Sequence, residues 1–312
     1  SVRNRTLVGS VGCLSVCPSG TVGSFRCFRL SKIIFIKHAC QFILYFFFKI
    51  RLSHILNSFS HSKVHFLNKV ALVTGASSGI GAAIAIMFAE EGAKVAIVGR
   101  NKLKLDNVAK RCGNPLVVAA DVSKDEDVKR IVNDAVKHFG KLDILINNAG
   151  IGGSASILRE NAMTTFDTVM STNLRSVVYL TNLAAAHLVK TKGNIINISS
   201  VAALRTVGKG TFSYCTSKAG LDHFSRSAAQ ELADHGVRVN IVNPGPVRTD
   251  IIENMGANAE AQEVVWKNMQ EMTALNRISA PEEIADLVLL IYWYDSLGQA
   301  SSCRGTGTIL SM

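Results

Sequence analysis

Tyr214 and Lys218 stand four residues apart at the head of a helical pattern, so they share one face with the ammonium close to the phenol. A free tyrosine titrates near 10 and is a poor acid–base catalyst at neutral pH; a neighbouring lysine cation favours the phenolate and predicts a lowered value. The chemistry such a pair serves is proton transfer to or from an oxygen. Taken singly, it also fits a plain helix-surface pair. A second stretch able to do chemistry is Thr74-Gly-Ala-Ser-Ser-Gly-Ile-Gly81, where an apolar run breaks into glycines and resumes as a helix. Such a junction sets backbone N–H groups and a helix N-terminus against a phosphate. Its glycines, Gly75, Gly79 and Gly81, follow neither the GxGxxG nor the P-loop spacing, and glycine-rich turns also serve helix–strand packing.

These residues need elements to hold them. From Lys69 onward, short β-rich runs alternate with longer helical ones. Strands are expected at Val70–Thr74, Lys94–Gly99, Pro115–Ala120, Leu142–Ile146, Asn194–Ser199, Arg238–Val242 and Gly307–Ser311. Helices are expected at Gly79–Glu91, Lys102–Cys112, Lys124–Phe139, Thr164–Lys190, Thr216–His235 and Pro281–Leu290. Apolar strands alternating with helices of this length predict an α/β fold, a single Rossmann-type doubly wound parallel sheet of about seven strands with helices on both faces. Residues 249–275, polar and Met-rich without a partner strand, are expected to form a mobile lid over the substrate.

In such a sheet, ligands bind beyond the carboxyl ends of the strands. The informative residues fall there. The glycine turn, including Ser77, Ser78 and Ile80, follows the first strand. Arg100 and Asn101 follow the second, where a dinucleotide fold holds the adenosine ribose. An acidic residue there would grip a 2′-hydroxyl, whereas an arginine suits a 2′-phosphate, so NADP(H) is expected in preference to NAD(H). Asp121 and Val122, after the third strand, are placed for the adenine, although Asp121 also fits a helix cap. Asn148, Ala149 and Gly150, with Asn147, let backbone approach a ligand after the fourth; they also fit a simple turn. After the sixth, Pro244, Gly245, Val247 and Thr249 form a rigid turn suited to the carboxamide of a nicotinamide.

Together Thr74–Gly81, Asn147-Asn-Ala-Gly150, Ser200, Tyr214-Cys-Thr-Ser-Lys218 and Asn243-Pro-Gly245 come in the order and approximate spacing of the short-chain dehydrogenase/reductase family, which the chain resembles over about residues 69–290. Arg277–Ala285 resembles a segment of 3-oxoacyl-thioester-reductase-like members. The resemblance implies an oxidoreductase moving a hydride between NAD(P)(H) and a carbonyl or secondary alcohol, with a tetrad of Asn173, Ser200, Tyr214 and Lys218. Ser200 would bind the substrate oxygen and Tyr214 exchange its proton. Lys218 would bind the nicotinamide ribose and lower the Tyr214 pKa, and Asn173 position a water. Tyr214 and Lys218 thus also count as cofactor-binding residues. Substrate classes rank as 3-oxoacyl thioesters, then sugar or diketone carbonyls, then steroids or retinoids. Two other functions stand beside this one: a catalytically idle NADP-binding scaffold or sensor, and a membrane-anchored steroid- or retinoid-type reductase. The tetrad and the family ending are one residue longer and one segment shorter, respectively, than close relatives lead one to expect. A homo-oligomer, dimer or tetramer, is expected all the same, weakened by the atypical C-terminus.

The 312-residue chain carries a formal charge of +11, which raises a nucleic-acid or membrane partner. That charge is not spread evenly. Residues 1–68 hold nine Lys/Arg and no acid, while from Lys69 there are 25 basic and 23 acidic residues, so no nucleic-acid partner is expected for the larger part. The leader 1–68 stands apart from the domain 69–312. It reads as a membrane anchor through Ile33–Ile50, as a transit peptide, or as non-native translation, the last being favoured. The cytoplasm is the expected location, or mitochondrion or membrane if the leader is native. Cys112, Cys215 and Cys303 lack metal-ligand or disulfide spacing, and no metal site is expected.

Overall fold

The computed structural model describes residues 66–253, 258–296 and 309–311. Seven strands, β1 (Val70–Thr74), β2 (Lys94–Gly99), β3 (Leu116–Ala119), β4 (Ile144–Asn147), β5 (Asn194–Ile198), β6 (Arg238–Asn243) and β7 (Ile309–Ser311), form one sheet in the order 3-2-1-4-5-6-7. Every pairing is parallel. The order reverses between β1 and β4, whose Ala71–Val73 and Ile144–Ile146 lie side by side. A crevice must open there, because the connections leave these two strands toward opposite sides.

The strands read as near-continuous apolar runs because both faces are covered. Alternate residues still part cleanly. Ala71, Val73, Ile97, Ile144 and Ile146 pack with Phe66, Phe88 and Tyr292 on one face, under α1 (Gly79–Glu90), α2 (Lys102–Ala109) and α8 (Pro281–Ser296). Leu72, Ala96, Val98, Leu145 and Ile195 pack on the other with α3 (Asp125–Phe139), α5 (Ser176–Thr191) and α6 (Phe212–Ala233). The helices carry their own start and stop signals. Asn101 caps α2 by accepting from Lys104 N at 3.0 Å, and α3 opens on Asp125-Glu-Asp127 and ends at Gly140 in a left-handed conformation.

Three local expectations need correcting. The stretch Thr164–Lys190 is not one uniform helix: α4 (Ala162–Met170) and α5 are joined by a π-helical turn, Ser171–Arg175. Helix α6 begins at Phe212 rather than Thr216, which brings Tyr214 inside its first turn. The third lies in the stretch 249–275, where no element was assigned: it contains a helix, α7 (Ala259–Glu271), capped by Asn258, whose single buried residue is Trp266. Among the described residues no helix is long and apolar enough to cross a membrane, and the segment Ile33–Ile50 lies outside them.

Candidate active site

The glycine turn is built by steric necessity. Gly75 and Gly79 have φ of +65° and +55°, the left-handed region where a side chain is strained. A Cβ on Gly81 would sit 2.4 Å from both the Gly75 carbonyl oxygen and Asn148 Nδ2, so this glycine serves close packing of the turn on α1. The turn is braced from β4. Asn148 Nδ2 donates to the carbonyls of Thr74 (3.0 Å) and Gly75 (3.2 Å), while Thr74 Oγ1 accepts from the amides of Asn148 and Ala149, each at 3.1 Å.

A cleft runs along the carboxyl ends of the strands from this turn. Gly75, Ser77, Ser78, Gly79 and Ile80 line one part; Arg100, Asp121 and Val122 line a second. Asn148, Ala149, Gly150, Tyr214, Lys218 and Thr249 line a third. Of the expected cofactor residues, Asn101 is used as the α2 cap and Gly81 lies beneath the turn. Pro244, Gly245 and Val247 line a neighbouring cavity instead. Asp121 lines the cleft and accepts from Ser123 N at 3.0 Å and Ser123 Oγ at 2.8 Å, a turn that precedes α3 without capping it, since the cap position is Lys124. The cleft fits an extended dinucleotide: a phosphate-sized cradle of left-handed glycines, a cation at one end, and at the other Gly150, where a Cβ would come 3.6 Å from Lys218 Nζ.

Asp250 was missed by sequence reasoning. Asp250 lines the cleft and its Oδ2 accepts from Lys104 Nζ at 2.7 Å, an ion pair reaching from α2 to the chain after β6. The Lys104 hydrogen bond, helped by Ser78, holds the Asp250 carboxyl below the usual range against some burial. No local motif marks such a pair.

The four expected catalytic residues come from three elements. Lys218 is 5% exposed and donates to the Ile198 carbonyl at 2.8 Å, its ammonium lying 5.9 Å from the Tyr214 ring centroid. Burial pulls its pKa down to about 8, opposed by Asp222. The phenol of Tyr214 moves the other way from expectation. Burial raises it above its ordinary value, and a hydrogen bond with Ser200 works against that rise. Ser200 also caps the short helical turn Val201–Ala203, accepting from Ala202 N at 3.1 Å. Its neighbour Ser199 spends its hydroxyl on the Lys218 carbonyl, at 3.3 Å, and so ties the end of β5 to α6.

Asn173 sits in the π-helical turn, fully buried. Its amide clasps Ile151 from both sides, accepting from Ile151 N at 2.8 Å and donating to Ile151 O at 2.9 Å, and also donates to Ser217 Oγ at 3.1 Å. Ser217 in turn donates to the Tyr214 carbonyl at 2.8 Å. Asn173 thus connects the chain after β4 to the first turn of α6. Ser217 stood inside the Tyr-x-x-x-Lys run with no chemistry assigned to it.

A second cavity of about 260 Å³ opens on the other side of Tyr214, walled by Val201, Val207, Ile252, Trp266, Met269 and Met272. Tyr214 lines both spaces, and Ser200 lines this one. Arg205 is the one charged residue facing it among the described residues. Arg248 stacks on Trp266 with its guanidinium 5.7 Å from the ring centroid, fixing the wall that α7 supplies.

This geometry agrees with what known proteins show. The family model described as short chain dehydrogenase matches residues 69–260. A 3-oxoacyl-[acyl-carrier-protein] reductase, FabG, of Thermotoga maritima is 34% identical over 72% of this chain and 89% of its own length. The short-chain dehydrogenase/reductase FrzI of Cladobotryum is 38% identical over 72% of this chain and 89% of its own length. Among solved structures, a short-chain dehydrogenase/reductase of unknown function from Caenorhabditis elegans, determined with cofactor, superposes with a TM-score of 0.71 at 32% identity, covering 79% of this chain and 94% of the other. The family model spans β1 to β6 together with Tyr214 and Lys218, and the chain belongs to the short-chain dehydrogenase family and is an oxidoreductase that uses a nicotinamide dinucleotide.

Proposed function

We propose that this enzyme reduces a carbonyl, or oxidises the matching secondary alcohol, with NADP(H) in preference to NAD(H) and with Tyr214 as the general acid–base. The observation that carries the reading is that Tyr214 faces both the dinucleotide cleft and the apolar cavity, with Ser200 at its side. When bound, the nicotinamide dinucleotide supplies the hydride or accepts it. The chain's own side chains do the rest. Ser200 and Tyr214 donate hydrogen bonds to the substrate oxygen, and Tyr214 delivers the proton as that oxygen becomes an alcohol. The raised phenol is protonated at neutral pH, as reduction requires. Lys218, Gly150 and Thr249 would hold the nicotinamide ribose and carboxamide, and Arg100, at the exposed end of β2, a 2′-phosphate.

The cavity supports a substrate with an apolar body, and Arg205 favours one that also carries an anionic group. A 3-oxoacyl thioester fits the apolar wall, and a phosphate on its thiol carrier would supply the anion for Arg205, in line with the similarity to a 3-oxoacyl-[acyl-carrier-protein] reductase. The test is a panel of carbonyl compounds, neutral and anionic, assayed with NADPH and NADH. Faster turnover with NADPH is expected, together with loss of that preference in Arg100→Asp. A preference for NADH would overturn the cofactor assignment. Full turnover in Tyr214→Phe would overturn the chemistry.

A further inference from the structure

Asp222 has no part in the proton transfer above, yet it is 2% exposed. It follows Lys218 by one helical turn and Tyr214 by two, so all three lie along one stripe of α6. Its Oδ2 accepts from Asn243 Nδ2 at 2.9 Å, and the same nitrogen donates to the Ser200 carbonyl at 3.0 Å. Asn243, the last residue of β6, is fully buried. The neighbouring backbone is fixed as well, through Ser199 N to Val242 O at 2.7 Å and Val201 N to Pro244 O at 3.0 Å.

A buried carboxylate is costly, and packing alone would be served by an apolar side chain of similar volume. Here the cost is not offset by full hydrogen bonding: Asp222 Oδ1 and Asn243 Oδ1 are both buried without a donor. The charge therefore needs another reason. Around the Lys218 ammonium stand the Ile198 carbonyl from β5, and the Tyr214 ring and Asp222 from its own helix. Around Asp222 stand Asn243 from β6 and Lys218. Asp222 is the charged group that favours the lysine cation, against a burial that disfavours it.

We infer that Asp222 is a positioning residue of the active site, fixing the Ser200 backbone through Asn243 and, as a buried anion one turn away, keeping the Lys218 ammonium charged. The inference rests on the assignment of Ser200, Tyr214 and Lys218 to the reaction. It makes α6 and the ends of β5 and β6 one unit, so that the hydroxyl, the phenol and the ammonium keep their mutual placement as the substrate oxygen changes charge.

The test uses the full chain with Asp222→Asn, Asp222→Leu, Asn243→Ala and the double variant Asp222→Asn/Asn243→Ala. Folding is checked by circular dichroism and thermal melting, and kcat and KM are followed from about pH 6 to about pH 10. Both Asp222 variants are expected to lose about tenfold or more in kcat with the carbonyl KM little changed, and to move the alkaline limb of the kcat profile to lower pH. Asn243→Ala is expected to lower kcat with the limb in place, and the double variant to lose little more than the worse single one. A folded Asp222→Leu with unchanged kcat and limb overturns the inference, as does a loss that merely follows the folded fraction. If neither Asp222 variant folds, unchanged kcat in Asn243→Ala overturns it. Activity retained in Tyr214→Phe or Lys218→Met would instead overturn the catalytic assignment itself.

Discussion

Lys218 sits where its own charge is opposed. Its pKa falls from 10.5 to about 8 on folding, mainly by burial. Below about pH 8 both folded and unfolded states carry the proton, and the folded state bears the whole penalty, roughly 3 kcal/mol as an upper figure. Between about 8 and 10.5 the folded state has released the proton while the unfolded state keeps it, so this contribution to stability rises with pH and the penalty vanishes above that range. In the cofactor-free protein, the melting temperature of Lys218→Met relative to wild type is therefore expected to fall as pH rises from about 8 to about 10.5, and the variant to be inactive. Melting curves of both proteins at several pH values check the sign. The pair Tyr214–Lys218 was legible in the sequence because four-residue spacing on a helix is a local property. Its electrostatics was not, because the Ile198 carbonyl that takes the ammonium and the burial that raises the phenol come from elements far away in sequence. The link from Asp222 to Ser200 was hidden for the same reason, since it depends on how the ends of β5 and β6 meet α6.

At the scale of elements, the glycine turn shows what position demands. Gly81→Ala would drive a methyl into the Gly75 carbonyl and the Asn148 amide at 2.4 Å, both of which help shape the cradle. A loss of about 1–3 kcal/mol in stability is expected, together with weaker NADPH binding. Chemical denaturation and a nucleotide fluorescence titration measure the two separately. The strand positions followed directly from apolar runs, and most helix boundaries fell within a few residues. Helix α7 escaped because Trp266 is its one buried residue, too little to make an apolar stripe, and because its cap Asn258 precedes a polar run. The early start of α6 escaped because its cap position, Thr211, makes no side-chain capping bond.

For the whole molecule, alternation of strand and helix was enough to read a parallel, doubly covered sheet, but not the strand order, which is set by the direction of each crossover. The two spaces meeting at Tyr214 are a product of that order, since one opens where it reverses. Their junction offers a direct readout. The chain has two tryptophans, and Trp266 lies in the wall of the apolar cavity. In a Trp293→Phe background, an apolar carbonyl substrate is expected to change Trp266 emission, and Trp266→Phe to abolish that change. An unaltered spectrum at saturating substrate would place the substrate elsewhere.

The π-helical turn at Ser171–Arg175 has a genetic consequence. It holds one residue more than a regular helix needs, so removing a single codon there would let the segment relax into continuous α-helix while α4 and α5 keep their facing sides, because the wider turn spends its extra residue on nearly the same rotation. Val169 and Leu180, each 1% exposed, would still both face the interior, but Asn173 would lose the widened turn from which it clasps Ile151. A library of single-codon deletions should show variants of this stretch that still fold but have lost activity, while the exposed loop around Arg205 and Thr206 accepts the same loss with folding intact.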